Sequence, residues 1–268
     1  MAVSSSGQFD SSVAHPARRY NYWLGGKDNF AADRASGDAI EAAMPGIRLM
    51  ALENRMFLGR AVRFLAEQGI DQFLDIGTGI PAPGNTHEVA QLITPSARVV
   101  YVDNDPLVLS HARALMTSGP VGATAYLDAD LRHPESILNH PDLTATLDLT
   151  RPVGLLLIAV IHFVRDDEDA AGVIKRLFDA LAPGSYLAIT QATWQYQSAE
   201  SIEKLTAANA DGRFVPRNST ELLGLLPPGL TPVEPGLVSV SRWRADDAPQ
   251  PRPAVEDVAC NGLVARKL

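Results

Sequence analysis

The spacing of the hydrophobic positions changes near residue 70 of this 268-residue chain. Between residues 18 and 69 the apolar positions recur at helical spacing, most clearly over residues 49–68, and Gly69 ends that pattern. The pairs Gly25-Gly26 and Pro45-Gly46 interrupt it and indicate turns. The sequence therefore predicts a region of helices over residues 18–69.

After this region, short apolar runs alternate with segments of helical spacing. The runs predicted as strands are residues 72–76, 98–103, 123–127, 153–161 and 186–190. The segments predicted as helices between them are residues 86–94, 106–117, 134–138 and 167–181. Such an alternation predicts an α/β fold with a doubly wound, mostly parallel sheet and helices on both of its faces.

The alternation ends after the fifth strand. Two further helices, over residues 198–209 and 219–226, are predicted to precede two final strands, over residues 237–243 and 262–266. We divide the chain into three parts: a Ser/Gly-rich tail over residues 1–17 that we expect to be disordered, an N-terminal helical cap over residues 18–69, and a ligand-binding domain over residues 70–268.

Composition narrows the class of protein. A net charge of -8 and a pI near 5.2 argue against a nucleic-acid partner, because nucleic-acid-binding domains are usually basic. A single cysteine, Cys260, fits a reducing compartment, and no Cys/His cluster has zinc spacing, so we expect no metal.

The longest apolar run has about nine residues, whereas a membrane helix needs about 20. With no leader-like apolar segment at the start, we expect a cytoplasmic protein without membrane contact.

The first predicted strand ends in the glycine turn Asp75-Ile76-Gly77-Thr78-Gly79. Glycine at two alternate positions lets the backbone approach a ligand without a Cβ clash. In open α/β sheets, ligands bind beyond the carboxyl ends of the strands, where this turn lies. A tight turn that binds nothing would explain the same residues, so the turn alone does not establish a site.

Acidic residues also end the next two predicted strands. Asp103 ends the second strand, where a carboxylate can accept hydrogen bonds from both ribose hydroxyls of an adenosine. Asp130 follows the third strand and could accept a hydrogen bond from the adenine amino group. Three acidic signals at three consecutive strand ends indicate an adenosine-containing ligand.

The position of Asp75 favours one class of adenosine cofactor. A dinucleotide places its pyrophosphate against the first helix, where a nearby carboxylate would be unfavourable. Here Asp75 lies two residues before Gly77, and Pro81-Ala82-Pro83 delays the helix. S-adenosylmethionine carries a sulfonium and an amino group, which a carboxylate favours. Asp75 could alternatively hold the turn through hydrogen bonds. The final pair of strands also fits a methyltransferase sheet, in which the seventh strand is antiparallel.

Five stretches carry a resemblance to a known family, namely residues 20–30, 84–91, 100–106, 129–132 and 238–243. With these stretches, and over residues 18–268 as a whole, the chain resembles the actinobacterial S-adenosylmethionine-dependent methyltransferase-like family. The resemblance implies a seven-stranded Rossmann-like methyltransferase sheet with S-adenosylmethionine as cofactor.

The resemblance also implies roles for particular residues. It places Asp75, Gly77 and Gly79 in the cofactor turn, Asp103 at the ribose, and Asp130 with Leu131 at the adenine. We add two cofactor contacts, Asn104 beside Asp103 and Ala159 near the end of the fourth strand. One departure from the general methyltransferase pattern is Pro81, which stands where a third glycine is often found.

His162 is the candidate catalytic residue. It follows the fourth predicted strand, where the methyl group of the cofactor should point, and a histidine can act as a base near neutral pH. Alternatively, His162 closes the cofactor pocket through a hydrogen bond without taking a proton. The sequence leaves both interpretations open.

Residues 21–30 combine two glycines, two amides and three aromatic residues, and they could form a lid over the cofactor. Tyr22 and Asn29 would then contact the substrate or the methionine end of the cofactor. The alternative is a helix–turn–helix segment that packs against the rest of the fold, with its aromatic residues in the core. Trp194, Tyr196 and Trp243 likewise could line an acceptor pocket or pack the final strands, while Glu88 is predicted to cap a helix with Asn85.

The function predicted from the sequence is S-adenosylmethionine-dependent methyl transfer to a small-molecule acceptor. Two alternatives remain. The chain could bind the cofactor without catalysis, as a sensor or an accessory protein, because no base other than His162 is evident. A nicotinamide-dependent oxidoreductase is a weaker alternative, which Asp75 and the final strand pair disfavour.

Overall fold

The computed structural model describes residues 10–115, 119–209 and 212–268. Its N-terminal part contains helices α1 (Pro16–Trp23), α2 (Ala31–Ala43) and α3 (Ile47–Glu67). Helix α1 has proline at its first position, where the absent N–H is not needed. It begins inside the segment that we predicted as a disordered tail, of which residues 1–9 lie outside the described residues.

The described strands form one sheet. They are β1 (Gln72–Ile76), β2 (Arg98–Asp103), β3 (Ala123–Asp128), β4 (Gly154–Leu157), β5 (Tyr186–Ala192), β6 (Leu230–Pro232), β7 (Val238–Ser239) and β8 (Cys260–Lys267). The strand order is β3-β2-β1-β4-β5-β8-β6, and β7 pairs with β8 beside this path. Strands β1 to β5 are parallel, and β8 lies antiparallel between β5 and β6. The predicted doubly wound sheet with an antiparallel final strand is confirmed.

The remaining helices connect the strands or follow them. They are α4 (Thr86–Ile93), α5 (Pro106–Leu115), α6 (Pro134–Leu138), α7 (Pro141–Thr146), α8 (Ala170–Asp179), α9 (Ala199–Ala208), α10 (Ser219–Gly224) and α11 (Val255–Val258). Two 3₁₀ turns, Ile161–Phe163 and Asp166–Glu168, lie between β4 and α8. No helix in the described ranges is long and apolar enough to cross a membrane.

Two predicted strands are shorter in the structure. The apolar run 153–161 forms a strand only as far as Leu157, because Ala159 adopts a left-handed backbone conformation with φ of 54° and turns the chain. The predicted strand 237–243 forms only β7, and the chain turns after Ser239. Some apolar residues beyond both strand ends, such as Ile161 and Val240, are buried outside the sheet, so hydrophobicity alone overestimated the strands.

Two apolar clusters cover the two faces of the sheet. On one face, α3 buries Phe57 and Leu65 completely, and Phe57 packs edge to face against the fully buried Trp243 at 5.3 Å. On the other face, α8 buries Leu177. Burying a side chain such as Leu65 contributes about 2 kcal/mol. Helix α3, which we predicted as part of a cap, therefore contributes to the core, and Trp243 packs against this helix.

Candidate active site

The glycine turn after β1 follows the predicted pattern, and its two glycines differ in their surroundings. Gly77 and Gly79 both have positive φ, at 77° and 68°. A Cβ on Gly77 would lie 2.5 Å from Val160 Cγ2, so this glycine is required for packing. A Cβ on Gly79 would meet nothing within 4 Å. The turn thus leaves open space beside Gly79, as a ligand-binding turn requires.

The Asp103 carboxylate, at the end of β2, is hydrogen-bonded to that turn. Its Oδ2 accepts from the Gly79 backbone N–H at 2.8 Å, and its Oδ1 accepts from the Asp105 N–H at 2.9 Å. Burial raises the pKa of Asp103, although these hydrogen bonds act in the opposite direction. The structure therefore brings together the glycine turn and the acidic residue that the sequence predicted as neighbours.

Asp75 lies beneath the turn and is held by the next helix. Its Oδ2 accepts a hydrogen bond of 2.6 Å from Thr86 Oγ1, in the first turn of α4. Burial raises the pKa of the Asp75 carboxyl to about 6. These contacts fit the alternative in which Asp75 holds the turn, and they leave its Oδ1 for a further partner.

Arg55, on α3, fixes the loop between the turn and α4. Its Nη2 donates to the Ala82 carbonyl at 2.8 Å and to Asn85 Oδ1 at 2.9 Å. Glu88 accepts from the Gly84 and Asn85 backbone N–H groups, which confirms the predicted cap of α4. The sequence analysis missed Arg55, because nothing in its local pattern links a helix residue to a loop beyond the next strand.

Asp130 is enclosed by hydrogen-bond donors. Its Oδ1 accepts from the Arg132 backbone N–H and Nε, both at 2.9 Å. Its Oδ2 accepts from Arg132 Nη2 at 2.6 Å and from Asn104 Nδ2 at 2.9 Å. Despite partial burial, these hydrogen bonds and the Arg132 charge hold the pKa of Asp130 well below its usual range. Since a carboxylate has about four acceptor positions, none remains for an adenine amino group in this arrangement.

The three other predicted cofactor contacts differ in accessibility. Asn104 is exposed beside Asp103, whereas Leu131 is buried in the core with 6% of its surface exposed. Ala159, half-buried in its left-handed turn, donates its N–H to Thr190 Oγ1 at 2.8 Å. Asn104 is therefore the one of these three whose side chain is available to a ligand.

His162 lies in the 3₁₀ turn after β4 and is 5% exposed. Its ring packs against Phe163 at 4.5 Å and Phe214 at 4.9 Å, and its Nδ1 has no hydrogen-bond partner within the described chain. Burial, together with the positive charge of Arg217, lowers the pKa of His162 to about 3. An imidazole of this kind is neutral near pH 7 and a weak base, which disfavours proton transfer by His162. Within the described residues, the hydrogen bond of the pocket-closing alternative is not formed at Nδ1.

Arg217 anchors the segment that covers the ends of β4 and β5. Its guanidinium donates to the carbonyls of Ile161 and Val164, at 3.2 and 2.7 Å, and forms an ion pair of 2.7 Å with Asp166. Its side chain is 3% exposed. The sequence analysis did not single out this residue, whose role depends on contacts with a distant part of the chain.

The two residues predicted for the lid are held within the N-terminal segment. The Tyr22 hydroxyl donates to Asp38 Oδ1 at 2.7 Å. Asn29 Nδ2 donates to Asn21 Oδ1 and to the Gly26 carbonyl, at 3.0 and 2.9 Å. Tyr22 thus has its partner on α2 and Asn29 has its partners within residues 21–30, as the packing interpretation expects.

Other residues of the same segment reach the candidate site. His15 Nδ1 lies 3.0 Å from Asp105 Oδ2, and Arg18 Nε lies 3.3 Å from the same oxygen. Asp33 accepts from the His15 backbone N–H at 2.8 Å. Asp105 is two residues beyond Asp103, so α1 is tied to the carboxyl end of β2. The sequence offered no signal for His15 or Arg18 apart from their position near the start of the resembling region.

A family model described as S-adenosyl methyltransferase matches residues 3–268. The chain belongs to this family. No curated protein matches the sequence.

In the part of the chain that the structure describes, no group of three or more His, Cys, Asp or Glu residues is arranged to hold a metal ion.

Solved structures agree with the family assignment. A DUF574 family protein from Streptomyces avermitilis is 44% identical, with a TM-score of 0.90, over 97% of this chain and 100% of that chain. A candidate methyltransferase from Thermobifida fusca is 41% identical, with a TM-score of 0.85, over 96% of each chain. The N-methyltransferase NodS from Bradyrhizobium japonicum, crystallised with S-adenosylhomocysteine, shares the fold at 18% identity and a TM-score of 0.50, over 81% of this chain and 87% of that chain.

This chain is thus a methyltransferase by family and by fold, and S-adenosylmethionine is its cofactor. The residues at the site fit this cofactor. The open space at Gly79 admits a ligand against the backbone, and the Asp75 and Asp103 carboxylates suit a molecule with ribose hydroxyls and positive charge. The comparisons give no support to the nicotinamide alternative.

Proposed function

We propose that this chain transfers the methyl group of S-adenosylmethionine to a small-molecule acceptor bound beside the ends of β4 and β5. The observation that carries the proposal is the hydrogen bond between Gly79 and the Asp103 carboxylate, with open space beside the glycine. It joins the two groups that an adenosine needs, a close backbone approach and a carboxylate for the ribose. The net charge of -8 disfavours a nucleic-acid acceptor.

In this proposal Asp103 accepts hydrogen bonds from the ribose hydroxyls while it keeps its hydrogen bond to the Gly79 N–H. Each carboxylate oxygen has a second acceptor position, so both sets of hydrogen bonds are compatible. Asp75 Oδ1 faces the methionine end of the cofactor, where a positive charge favours the ionised carboxyl. We also assign the backbone of Gly77 and of Ala159 to the border of the cofactor site.

At the adenine we assign direct contact to Asn104 rather than to Asp130. Asn104 Nδ2 donates to Asp130, which orients the amide and leaves its Oδ1 to accept from the adenine amino group. Asp130 acts through Asn104, and a direct hydrogen bond from the adenine amino group to Asp130 requires that Arg132 move away. Leu131 supports this region from the core.

The N-terminal segment, residues 10–30, serves as the lid of the site. His15 and Arg18 attach it to Asp105, and Gly25, with φ of 80°, gives it a flexible point next to Tyr22 and Asn29. Tyr22 is bound to Asp38 on α2 and Asn29 is bound within the segment, so these two side chains reach the substrate only after they exchange partners.

When bound, S-adenosylmethionine supplies a methyl group on a sulfonium sulfur, and the sulfur leaves as the thioether of S-adenosylhomocysteine. The chain contributes position, burial and electrostatics. His162, neutral and buried, makes a polar contact with the acceptor but does not take a proton from it. A proton lost by the acceptor therefore passes to water.

Two measurements test this function. In the first, calorimetry compares the binding of S-adenosylmethionine, S-adenosylhomocysteine and NAD; we expect binding of both sulfur compounds and none of NAD. In the second, S-adenosylmethionine with a labelled methyl group is incubated with the protein and a metabolite extract, and label in a small molecule is expected. Failure to bind either sulfur compound contradicts the proposal. Binding without any labelled product indicates the non-catalytic alternative.

A further inference from the structure

Four side chains form an aromatic cluster: His162, Phe163, Trp194 and Phe214. Phe214 lies at the centre, with its ring centroid 4.9 Å from His162, 6.0 Å from Phe163 and 6.3 Å from Trp194. The proposed function uses only His162 from this set. Phe163, Trp194 and Phe214 are half-buried, so each ring retains accessible surface.

The aromatic cluster lies next to the cofactor turn. His162 and Phe163 follow β4, and Trp194 follows the parallel neighbour β5, so the carboxyl ends of two adjacent strands bring them together. Val160, two residues before His162, occupies the space beside Gly77. A molecule on the aromatic cluster would thus lie on the β4 and β5 side of the cofactor, where the acceptor has to bind.

The segment that carries Phe214 is held firmly on this edge. The Val215 N–H donates to the His162 carbonyl at 2.8 Å, and Gln191 Nε2 donates to the Val215 carbonyl at 2.9 Å. Arg217, two residues further, is buried and bound to the carbonyls of Ile161 and Val164. The backbone that follows Phe214 is therefore held in place before a ligand binds, as a preorganised recognition surface requires.

The aromatic cluster is mostly apolar, and within the described chain it contains one buried polar atom that lacks a partner. His162 is more than nine-tenths buried, and its Nδ1 has no hydrogen-bond partner within the described chain. The nearby cation, Arg217, is already bound to Asp166. A buried polar atom without a partner is costly, and a ligand that supplies one would relieve that cost.

From these observations, and resting on the proposed function, we propose that the aromatic cluster binds the methyl acceptor as a planar aromatic or heteroaromatic ring. The ring packs on Phe163, Trp194 and Phe214, and an O–H or N–H on the ring hydrogen-bonds to the His162 imidazole. Aromatic pairs gain attraction from their ring geometry in addition to buried area, so three accessible rings select a flat aromatic molecule over a saturated one of similar size.

A pair of probes of similar size tests this selection: 2-naphthol and its saturated counterpart, trans-decahydro-2-naphthol. Dissociation constants are measured by equilibrium dialysis, with the protein alone and with saturating S-adenosylhomocysteine. We expect 2-naphthol to bind at least about tenfold more tightly than the saturated alcohol. Equal affinities, or tighter binding of the saturated alcohol, overturn the proposal.

Variants locate the binding. Phe214→Leu and Trp194→Leu are expected to weaken 2-naphthol binding by about fivefold or more, while the affinity for S-adenosylhomocysteine stays within about twofold. Phe64→Leu is the matched control, because Phe64 is also half-buried but its ring packs against Trp243 and Tyr186 and not against the aromatic cluster. Unchanged naphthol affinity in both test variants, or an equal loss in the control, contradicts the assignment of the site.

The design separates this proposal from the proposed function. If the protein fails to bind S-adenosylhomocysteine, the proposed function fails. The affinities of the two alcohols for the protein alone then still show whether the aromatic cluster binds an aromatic ring. If S-adenosylhomocysteine binds and the two alcohols bind equally, only the aromatic cluster is wrong. The wild-type comparison of the two alcohols also decides the matter should both leucine variants fold poorly.

Discussion

The Gly79 backbone N–H donates a 2.8 Å hydrogen bond to the Asp103 carboxylate, and this contact joins the first two strand ends of the sheet. Gly79 has a positive φ and free space where a side chain would be, so its peptide is presented to a ligand. Asp103 is 7% exposed and is fixed on its other oxygen by the Asp105 N–H. The cofactor site is therefore organised before the cofactor arrives.

Asp103→Asn is expected to weaken binding of S-adenosylhomocysteine by about 10- to 100-fold, because it replaces a charged acceptor of two ribose hydroxyls. Isothermal titration calorimetry measures the change. Glu203→Gln, at an exposed position of α9, serves as the control and should leave the affinity unchanged. If Asp103→Asn binds as tightly as the wild type, the ribose is held elsewhere.

Asp75 predicts a pH dependence of stability. Burial raises its pKa to about 6, above the ordinary value of about 3.9, so the folded protein binds this proton more tightly than the unfolded chain does. The resulting stabilisation is fully present below about pH 4 and is lost as the pH rises through about 6. The variant Asp75→Asn lacks this stabilisation, but its amide oxygen can still accept the hydrogen bond from Thr86.

Urea unfolding of both proteins at several pH values measures this effect. The free energy of unfolding of the wild type, minus that of Asp75→Asn, should fall by roughly 3 kcal/mol between about pH 4 and pH 7. Because other titrating groups are common to both proteins, they cancel in the difference. If the difference stays constant with pH, the pKa of Asp75 is the same in the folded and the unfolded protein.

His162 should remain neutral throughout the range in which a catalytic base would titrate. Since burial and the Arg217 charge lower its pKa to about 3, its imidazole resonances should not shift between roughly pH 5 and 8. Nuclear magnetic resonance titration measures this, and His162→Phe identifies the resonances by their disappearance. A midpoint within that range would restore His162 as a base.

Arg217→Met should destabilise the fold by about 3–5 kcal/mol, because it removes the buried donor for two backbone carbonyls and the partner of Asp166. Urea unfolding provides the measurement. The control is Arg165→Met, which removes an exposed ion pair with Asp167 and should have a much smaller effect. Similar losses in the two variants argue against an anchoring role for Arg217.

The attachment of the lid can be tested at Asp105. Asp105→Asn weakens the contacts of His15 and Arg18, and we expect amide hydrogen exchange in α1 to accelerate by about 10- to 100-fold. Mass spectrometry of the whole protein after exchange and digestion gives the rates, with peptides of α8 as the internal control. In the wild type, S-adenosylhomocysteine should slow the exchange of the same segment. If neither change appears, the segment is not a lid.

Much of the fold follows from local features of the sequence. The alternation of strands and helices from β1 to β5 is set by the spacing of apolar residues, which depends only on neighbouring positions. Where the spacing was a weak guide, the strands were wrong in length. The apolar run after Leu157 leaves the sheet because of the left-handed Ala159, and the run after Ser239 buries Trp243 against Phe57 instead of pairing.

The sequence by itself determined the glycine turn and the acidic residues at the strand ends, because parallel strands place their carboxyl ends along one edge. Only the tertiary structure decided what those groups contact. It surrounded Asp130 with Arg132 and Asn104, and it buried His162 beside a cation. Hydrogen bonding, burial and charge depend on segments that are distant in the chain, and residue spacing does not record which of those segments meet.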